Sequence, residues 1–262
     1  MNKNFLLNPF SGKPLSGVQK NAAIHFQTRK DWAGKHIIDL CCGNGISTLL
    51  LRQLGAKVSS YDLIPESSKL EIKPLYANIQ ETLPIPDQSA DVVVFQEVIE
   101  HLPNQLHALQ EIHRILKEGG ELFLTTPSKS SLQSRFATLS FESENIKFTP
   151  WGSTDGIWGQ NEDGEKYFGH LFLIGIQQIN ALGRIAGFKK TVVHKIEASK
   201  TSLLLLPILY PIIFTISLRA LYRDLRKAPK GSPYYQEKIE QFKLNISLKT
   251  LLNKFMFVSL YK

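Results

Sequence analysis

The sequence predicts an α/β fold in which strands and helices alternate around a parallel sheet. Three observations carry that prediction. Residues 36–54, HIIDLCCGNGISTLLLRQL, pass from an apolar run through a turn of small residues into a leucine-rich helix. A second strand, Lys57 to Tyr61, ends at the acid Asp62. Further along, apolar runs suited to buried strands alternate with segments of helical spacing, up to the final FMFVSLY.

Ile37, Ile38 and Leu40 suit a strand covered on both faces. Gly43 and Gly45 then let the backbone turn sharply and approach a ligand where a side chain would collide. Ser47 and Thr48 start a helix that runs through Leu49, Leu50, Leu51 and Leu54. Asp62, at the end of the second strand, is placed to take the two hydroxyls of a ribose, so the segment implies an adenosine-containing cofactor. NAD enzymes use a related turn with GxGxxG spacing, but its third glycine position is Thr48 here. Leu106, Leu109, Ile112, Ile115 and Leu116 share one helix face. A helix over Ile176 to Ala186, capped at Gly187, leads to a strand from Thr191 to Glu197, and Phe255 to Tyr261 forms the last strand.

The turn resembles motif I of the class I S-adenosylmethionine-dependent methyltransferases, D-x-G-x-G-x-G. Asp39 is its acid, Gly43 and Gly45 its second and third glycines, and Cys41 replaces the first. Later blocks resemble the same family in the same order. Tyr76 to Ile79 is similar to the loop after strand three, with Asn78 where the family usually has an adenine-contacting acid. An amide can make that hydrogen bond as well. LPIPDQSADVVV and QEVIEHL resemble the approach to and exit from strand four, and KEGGELFLTTPS the turn into strand five. The resemblance covers 35–195. It implies a Rossmann-like αβα sandwich whose seven-stranded, mostly parallel sheet has an antiparallel last strand between strands five and six. It also implies S-adenosylmethionine as cofactor, bound by Asp39, Cys41, Gly43, Asn44, Gly45, Asp62, Leu63, Asn78, Ile79 and Gln96.

At 262 residues the chain is long enough to bury a full core, and one catalytic domain over 1–262 is expected. The two cysteines are adjacent, which suits a reducing compartment. MNKNFLLNPFSGKP lacks the apolar run of a secretory signal, so a cytoplasmic location is expected. The net charge of +8 is unevenly distributed. Met1 to Phe188 holds 17 Lys+Arg against 19 Asp+Glu, whereas Lys189 to Lys262 holds 14 against 4. Such a block marks either an anionic partner surface or a solvated basic face.

Beside the basic block lies TSLLLLPILYPIIFTISL, Thr201 to Leu218, which contains no charge. A bilayer-spanning helix needs about 20 apolar residues. This run is shorter and carries Pro207 and Pro211, so an interfacial or buried helix is expected rather than a span. Arg219, Arg223, Arg226, Lys227 and Lys230 follow, interleaved with Leu221, Tyr222 and Leu225, and this suits an anionic leaflet surface contacted through 201–230. The rival reading packs Leu203 to Leu218 on the protein's own core or on a second subunit. Residues 199–250 are read as an insertion between strands six and seven, with a turn near Lys227 to Pro233 separating two helices.

Methyl transfer is an in-line displacement that needs positioned reactants and removal of the acceptor proton. His101 suits that role near neutral pH. In quinone-precursor O-methyltransferases and small-RNA 2′-O-methyltransferases, an E-x-x-E-H pattern like Glu97, Glu100 and His101 supplies metal ligands, and metal-free relatives also carry EVIEHL. No metal site is therefore assigned, with a divalent ion kept as the alternative and a structural hydrogen bond as the bland reading of His101. His170, in YFGHLFLIG, is the second catalytic candidate, because similar methyltransferases place a histidine before the following helix; a packing role is the counter-reading. Trp151 and Trp158, among Gly152, Gly156 and Gly159, suit an aromatic lid or an anchored loop. The resemblance and the apolar segment together imply methylation of an oxygen on a small-molecule acceptor, lipid-linked, glycan or quinone-like, at a membrane surface. The alternatives are an RNA 2′-O-methyltransferase, against which the uncharged run argues because nucleic-acid faces are charged, and a non-catalytic membrane adaptor that keeps the cofactor fold.

Overall fold

The structure is a computed structural model that describes residues 3–142, 156–160, 164 and 166–262. Its strands are β1 (His36–Leu40), β2 (Lys57–Asp62), β3 (Leu75–Tyr76), β4 (Ala90–Gln96), β5 (Leu116–Pro127), β6 (Ile157–Gln160), β7 (Lys166–Phe168), β8 (Lys190–Val193) and β9 (Phe255–Tyr261). The helices are α1 (Gly17–Thr28), α2 (Ile46–Gln53), α3 (Gln105–Ile115), α4 (Leu132–Phe141), α5 (Ile176–Ala186), α6 (Lys200–Leu225), α7 (Pro233–Ile246) and α8 (Leu248–Leu252).

Seven strands form one sheet in the order β3-β2-β1-β4-β5-β9-β8, while β6 and β7 form a separate antiparallel pair. The pairs β1–β2, β1–β4, β2–β3 and β4–β5 are parallel. The last strand lies between β5 and β8 as expected, and it is antiparallel. Lys262 N–H donates to Gly120 while Ser128 N–H donates to Lys254, so the partner number falls as the residue number rises. Ile37, Ile38, Leu40, Val92–Phe95, Leu122–Leu124, Phe257, Val258 and Leu260 are buried, which is why these strands read as apolar runs rather than alternating ones.

By chain contacts the molecule divides into two compact units: Met1–Thr125 with Leu182–Val192 and Phe257–Lys262, and Thr126–Ala181 with Val193–Met256. In the first unit α1 brings His25 into a stack on Phe123, centroids 4.6 Å apart, and Trp32 Nε1 donates to the Phe26 carbonyl at 2.7 Å. In the second unit α4, α6 and α7 are tied by hydrogen bonds. Arg135 Nη2 donates to Asn245 Oδ1 and Asn245 Nδ2 to Ser217 Oγ, each at 2.7 Å.

Two local expectations change. The KEGG segment is not a turn before strand five but a bulge inside it, since Ala90 pairs with Leu116 and Val92 already with Glu121. The strand expected over Thr191 to Glu197 is Lys190–Val193, because the His194 carbonyl is taken by the Asn253 side chain at 2.9 Å. The helix expected over the apolar segment is α6, 26 residues long and continuous through both prolines. Thr215 Oγ1 donates to the Pro211 carbonyl at 2.8 Å. Trp151, Gly152 and the Trp158 side chain lie outside the described residues.

Candidate cofactor and catalytic site

The turn between β1 and α2 is built from residues in the left-handed region: Cys41 at φ 58°, Gly43 at 52° and Gly45 at 86°. Glycine tolerates this at no steric cost and cysteine does not, so Cys41 stands strained at the position where glycine was expected. The Cys42 N–H donates to the Tyr61 carbonyl and the Gly45 N–H to the Cys42 carbonyl, which closes the turn against β2. A Cβ at Gly45 would strike Leu70, whereas a Cβ at Gly43 would meet no protein atom within 4 Å. Gly43 therefore faces the side on which a ligand can approach the backbone.

Asp62 is nearly buried and accepts the Gly43 N–H at 2.8 Å on one oxygen and the Ile64 N–H at 2.9 Å on the other. Each carboxylate oxygen retains further acceptor capacity. Asp39 is also buried, and Thr48 Oγ1 donates to it at 2.5 Å while contacting Ser60 Oγ at 3.0 Å. Burial pushes the Asp39 carboxyl up to about 7, with the Thr48 hydroxyl opposing the rise and the Asp62 charge adding to it. Burial also pushes both the Cys41 and the Cys42 thiols up, so neither is an activated thiolate.

Around this turn, Asn44 Oδ1 accepts the Ile46 N–H at 3.2 Å, and Ser47 Oγ donates to Gln96 Oε1 at 2.5 Å, linking α2 to the end of β4. Leu63 is half-buried and Ile79 buried. The Asn78 side chain accepts the Gln80 N–H at 3.0 Å and donates to Glu81 Oε1 at 2.9 Å, so it shapes its own loop. Ile64, Leu75 and Tyr76 are exposed, and β3 places Tyr76 beside Asp62 in register.

At the exit of β4, Glu97 takes a left-handed φ of 53°. Its N–H donates to the Thr125 carbonyl, and Thr125 Oγ1 donates to its carboxylate at 2.9 Å. Burial, then the neighbouring Glu100, hold the Glu97 carboxyl above its usual range against the pull of Thr125. Glu100 is fully buried in the turn Ile99–His101, and His101 ends that turn half-buried. The structure thus gathers Asp39, Cys41, Gly43, Asn44, Gly45, Asp62 and Gln96 in one strand-end cluster of the first unit. His170 opens the 3-10 turn His170–Phe172, which belongs to the second. Sequence reasoning missed Thr48, Ser60, Leu70 and Thr125, whose roles are visible only through their partners.

The profile of a family described as methyltransferase domain matches residues 17–194. The chain belongs to that family. Ubiquinone biosynthesis O-methyltransferase of Xanthomonas oryzae pv. oryzae is 27% identical over 140 residues, covering 50% of this chain and 59% of that protein. The same enzyme of Nitrosococcus oceani is 30% identical over 156 residues, covering 55% and 64%. The chain thus spans about six-tenths of the length of these curated relatives. Among solved structures, a SAM-dependent methyltransferase from Archaeoglobus fulgidus aligns with a TM-score of 0.54 at 12% identity, over 94% of this chain and 95% of that one. That likeness concerns the methyltransferase fold.

Proposed function

We propose that the chain is an S-adenosylmethionine-dependent methyltransferase acting from the cytoplasmic side on an oxygen of a quinone-like, glycan or lipid-linked acceptor at a membrane surface. The observation that carries the cofactor is the turn in which Cys41, Gly43 and Gly45 all take positive φ, while Asp62 holds the Gly43 N–H. The ubiquinone-pathway names of its relatives support an oxygen on a quinone-like acceptor.

The residues fit the cofactor. Asp39, Cys41, Gly43, Asn44 and Gly45 form the turn whose backbone it approaches, Asp62 and Leu63 take its ribose, Asn78 and Ile79 its base, and Gln96 lines the strand-four side. When bound, it supplies a methyl group on a positively charged sulfur. Ser47 fixes the Gln96 amide, and Thr48 fixes the Asp39 carboxyl. His101 accepts the acceptor's hydroxyl proton as the new bond forms, and His170 is the second residue assigned to the acceptor side. A divalent ion on Glu97, Glu100 and His101 is the alternative, and loss of turnover to a chelator with recovery on adding the ion would establish it.

Calorimetry with S-adenosylmethionine and NADH tests the cofactor; binding of NADH alone overturns the proposal. Labelled S-adenosylmethionine offered with separated lipid, glycan and RNA fractions tests the acceptor, and label appearing only in RNA overturns the membrane-surface reading. His101→Ala should lower turnover about 100-fold or more, the range for a lost general base, with cofactor affinity nearly unchanged. Wild-type turnover removes His101 from the mechanism.

A further inference from the structure

We propose that α6 docks the protein in the plane of one leaflet of an anionic phospholipid bilayer, through a single outward stripe, and does not cross the bilayer. This rests on the membrane-surface reading above and adds the mode of attachment.

Among the described residues, α6 is the one helix long and apolar enough to span a membrane, and only 6% of its most apolar window is buried within the protein. A long apolar helix that its own core leaves uncovered calls for another apolar medium, and this one is not covered by its own core. Leu204, Ile208, Ile212 and Ile216 recur every fourth residue and are 76%, 66%, 52% and 65% exposed. Along the same stripe follow Arg219, Tyr222, Arg223 and Arg226, all exposed. The opposite face, through Ser217, Ala220 and Asp224, is turned toward α7. The neighbouring α4 adds exposed Phe136, Leu139 and Phe141. Most exposed large apolar side chains of the described residues lie in this second unit. An apolar stripe that ends in arginines matches hydrocarbon bordered by phosphate headgroups.

Chain topology decides against a crossing. The strand before α6 is β8 and the strand after the insertion is β9, and these are neighbours in one sheet. The chain leaves and re-enters on the same side, which requires an even number of crossings. The returning helix α7 carries Glu237, Lys238, Glu240 and Lys243 and cannot be the second. The first turn of α6 is also held to α4, where Ser199 Oγ donates to Gln133 Oε1 and the buried Ser202 Oγ accepts the Gln133 N–H. About 22 Å further along, at the α-helical rise of 1.5 Å per residue, Ser217 is tied through Asn245 to Arg135 of the same α4. A crossing would draw Arg135 and Asn245 into hydrocarbon, whereas an in-plane helix leaves them on its protein side.

The test is flotation of the intact protein with phosphatidylglycerol–phosphatidylcholine vesicles, with phosphatidylcholine vesicles as control. Wild type should co-float with the anionic vesicles. Ile208→Asp and Ile212→Asp, at exposed positions where folding is checked by circular dichroism, should each reduce the bound fraction several-fold. Arg219→Glu with Arg223→Glu should do so at low salt. Lys230→Cys, in the turn after α6, should react with an impermeant maleimide added outside the vesicles equally with and without detergent, scored by peptide mass spectrometry so that Cys41 and Cys42 are counted separately. Absence of co-flotation overturns this inference and the membrane-surface reading together and leaves methyl transfer standing. Co-flotation with Lys230→Cys protected until detergent is added means a crossing and overturns the in-plane mode alone. Unchanged flotation of Ile208→Asp, or a solution dimer that this substitution breaks, assigns the stripe elsewhere and overturns it too.

Discussion

Gly45 closes the cofactor turn at φ +86°, and a Cβ there would lie 2.4 Å from Leu70 Cγ, 2.7 Å from Cδ2 and 2.9 Å from Cδ1. Leu70 is only 4% exposed, so its side chain has nowhere to swing. A left-handed φ costs an L-residue about 1–2 kcal/mol, and overpacking a filled site adds about 1–3 kcal/mol. Gly45→Ala should therefore destabilise the fold by about 2–5 kcal/mol, the sum of those two effects. Gly43→Ala, at φ +52° with no protein atom within 4 Å, should cost only the backbone part, about 1–2 kcal/mol. Its methyl group instead occupies the cofactor's side of the turn, so the two substitutions separate: Gly45→Ala acts mainly on stability and Gly43→Ala mainly on cofactor affinity. Leu70→Ala alone should cost about 2–5 kcal/mol as a buried truncation, but it also removes the collision. The double variant Gly45→Ala/Leu70→Ala should accordingly be more stable than additivity predicts, by about 1 kcal/mol or more. Urea unfolding of the wild type and the four variants with unchanged m-values gives each term. If Gly45→Ala costs no more than Gly43→Ala, or the double variant is additive, Leu70 does not restrain the turn and the argument is wrong.

Three further outcomes are expected. Because burial raises the folded-state Asp39 carboxyl to about 7, its stabilising proton is fully held below the unfolded-state value near 4 and lost as pH rises through about 7; apparent stability should fall across that window, and Asp39→Asn should flatten the fall in thermal melts from pH 4 to 8. Asp62→Ala should weaken S-adenosylmethionine by about 1.5–3 kcal/mol, the worth of hydrogen bonds to a charged group, while Asp62→Asn recovers part of it in calorimetry; equal affinities for wild type and Asp62→Ala would remove Asp62 from the site. Asn245→Leu should strand the Arg135 guanidinium and the Ser217 hydroxyl together, costing about 1–3 kcal/mol by denaturant melts, and a neutral result would show that water replaces Asn245.

The parallel sheet was legible because strands covered on both faces are written as uninterrupted apolar runs, as at Ile37, Ile38 and Val92 to Val94. Gly43 and Gly45 were legible because only glycine accepts those dihedrals cheaply. The partners of the site were not. Thr48 and Asp39 are nine residues apart, and Thr125 and Glu97 are 28 apart; a hydroxyl acquires its role only when the fold brings a carboxylate to it. Helix α1 also escaped notice, since Ala22, Ala23 and Phe26 give a short apolar face with no strong cap. The helix over the apolar segment was legible despite its two prolines. Proline removes one hydrogen bond and favours a break, yet in a run of leucine and isoleucine the remaining backbone bonds and the contact with α7 keep the helix going.

The place of β9 sets an order of events during synthesis. It pairs with β5 on one side and β8 on the other, so both of those edges wait for residues 255–261 to be made. By then the whole of α6, with its bare stripe of isoleucines, has already been translated. The growing chain thus displays its most water-averse helix before the sheet can close. A bilayer or a chaperone that receives α6 during that interval keeps its stripe from associating with another chain while β5 and β8 still lack their partner.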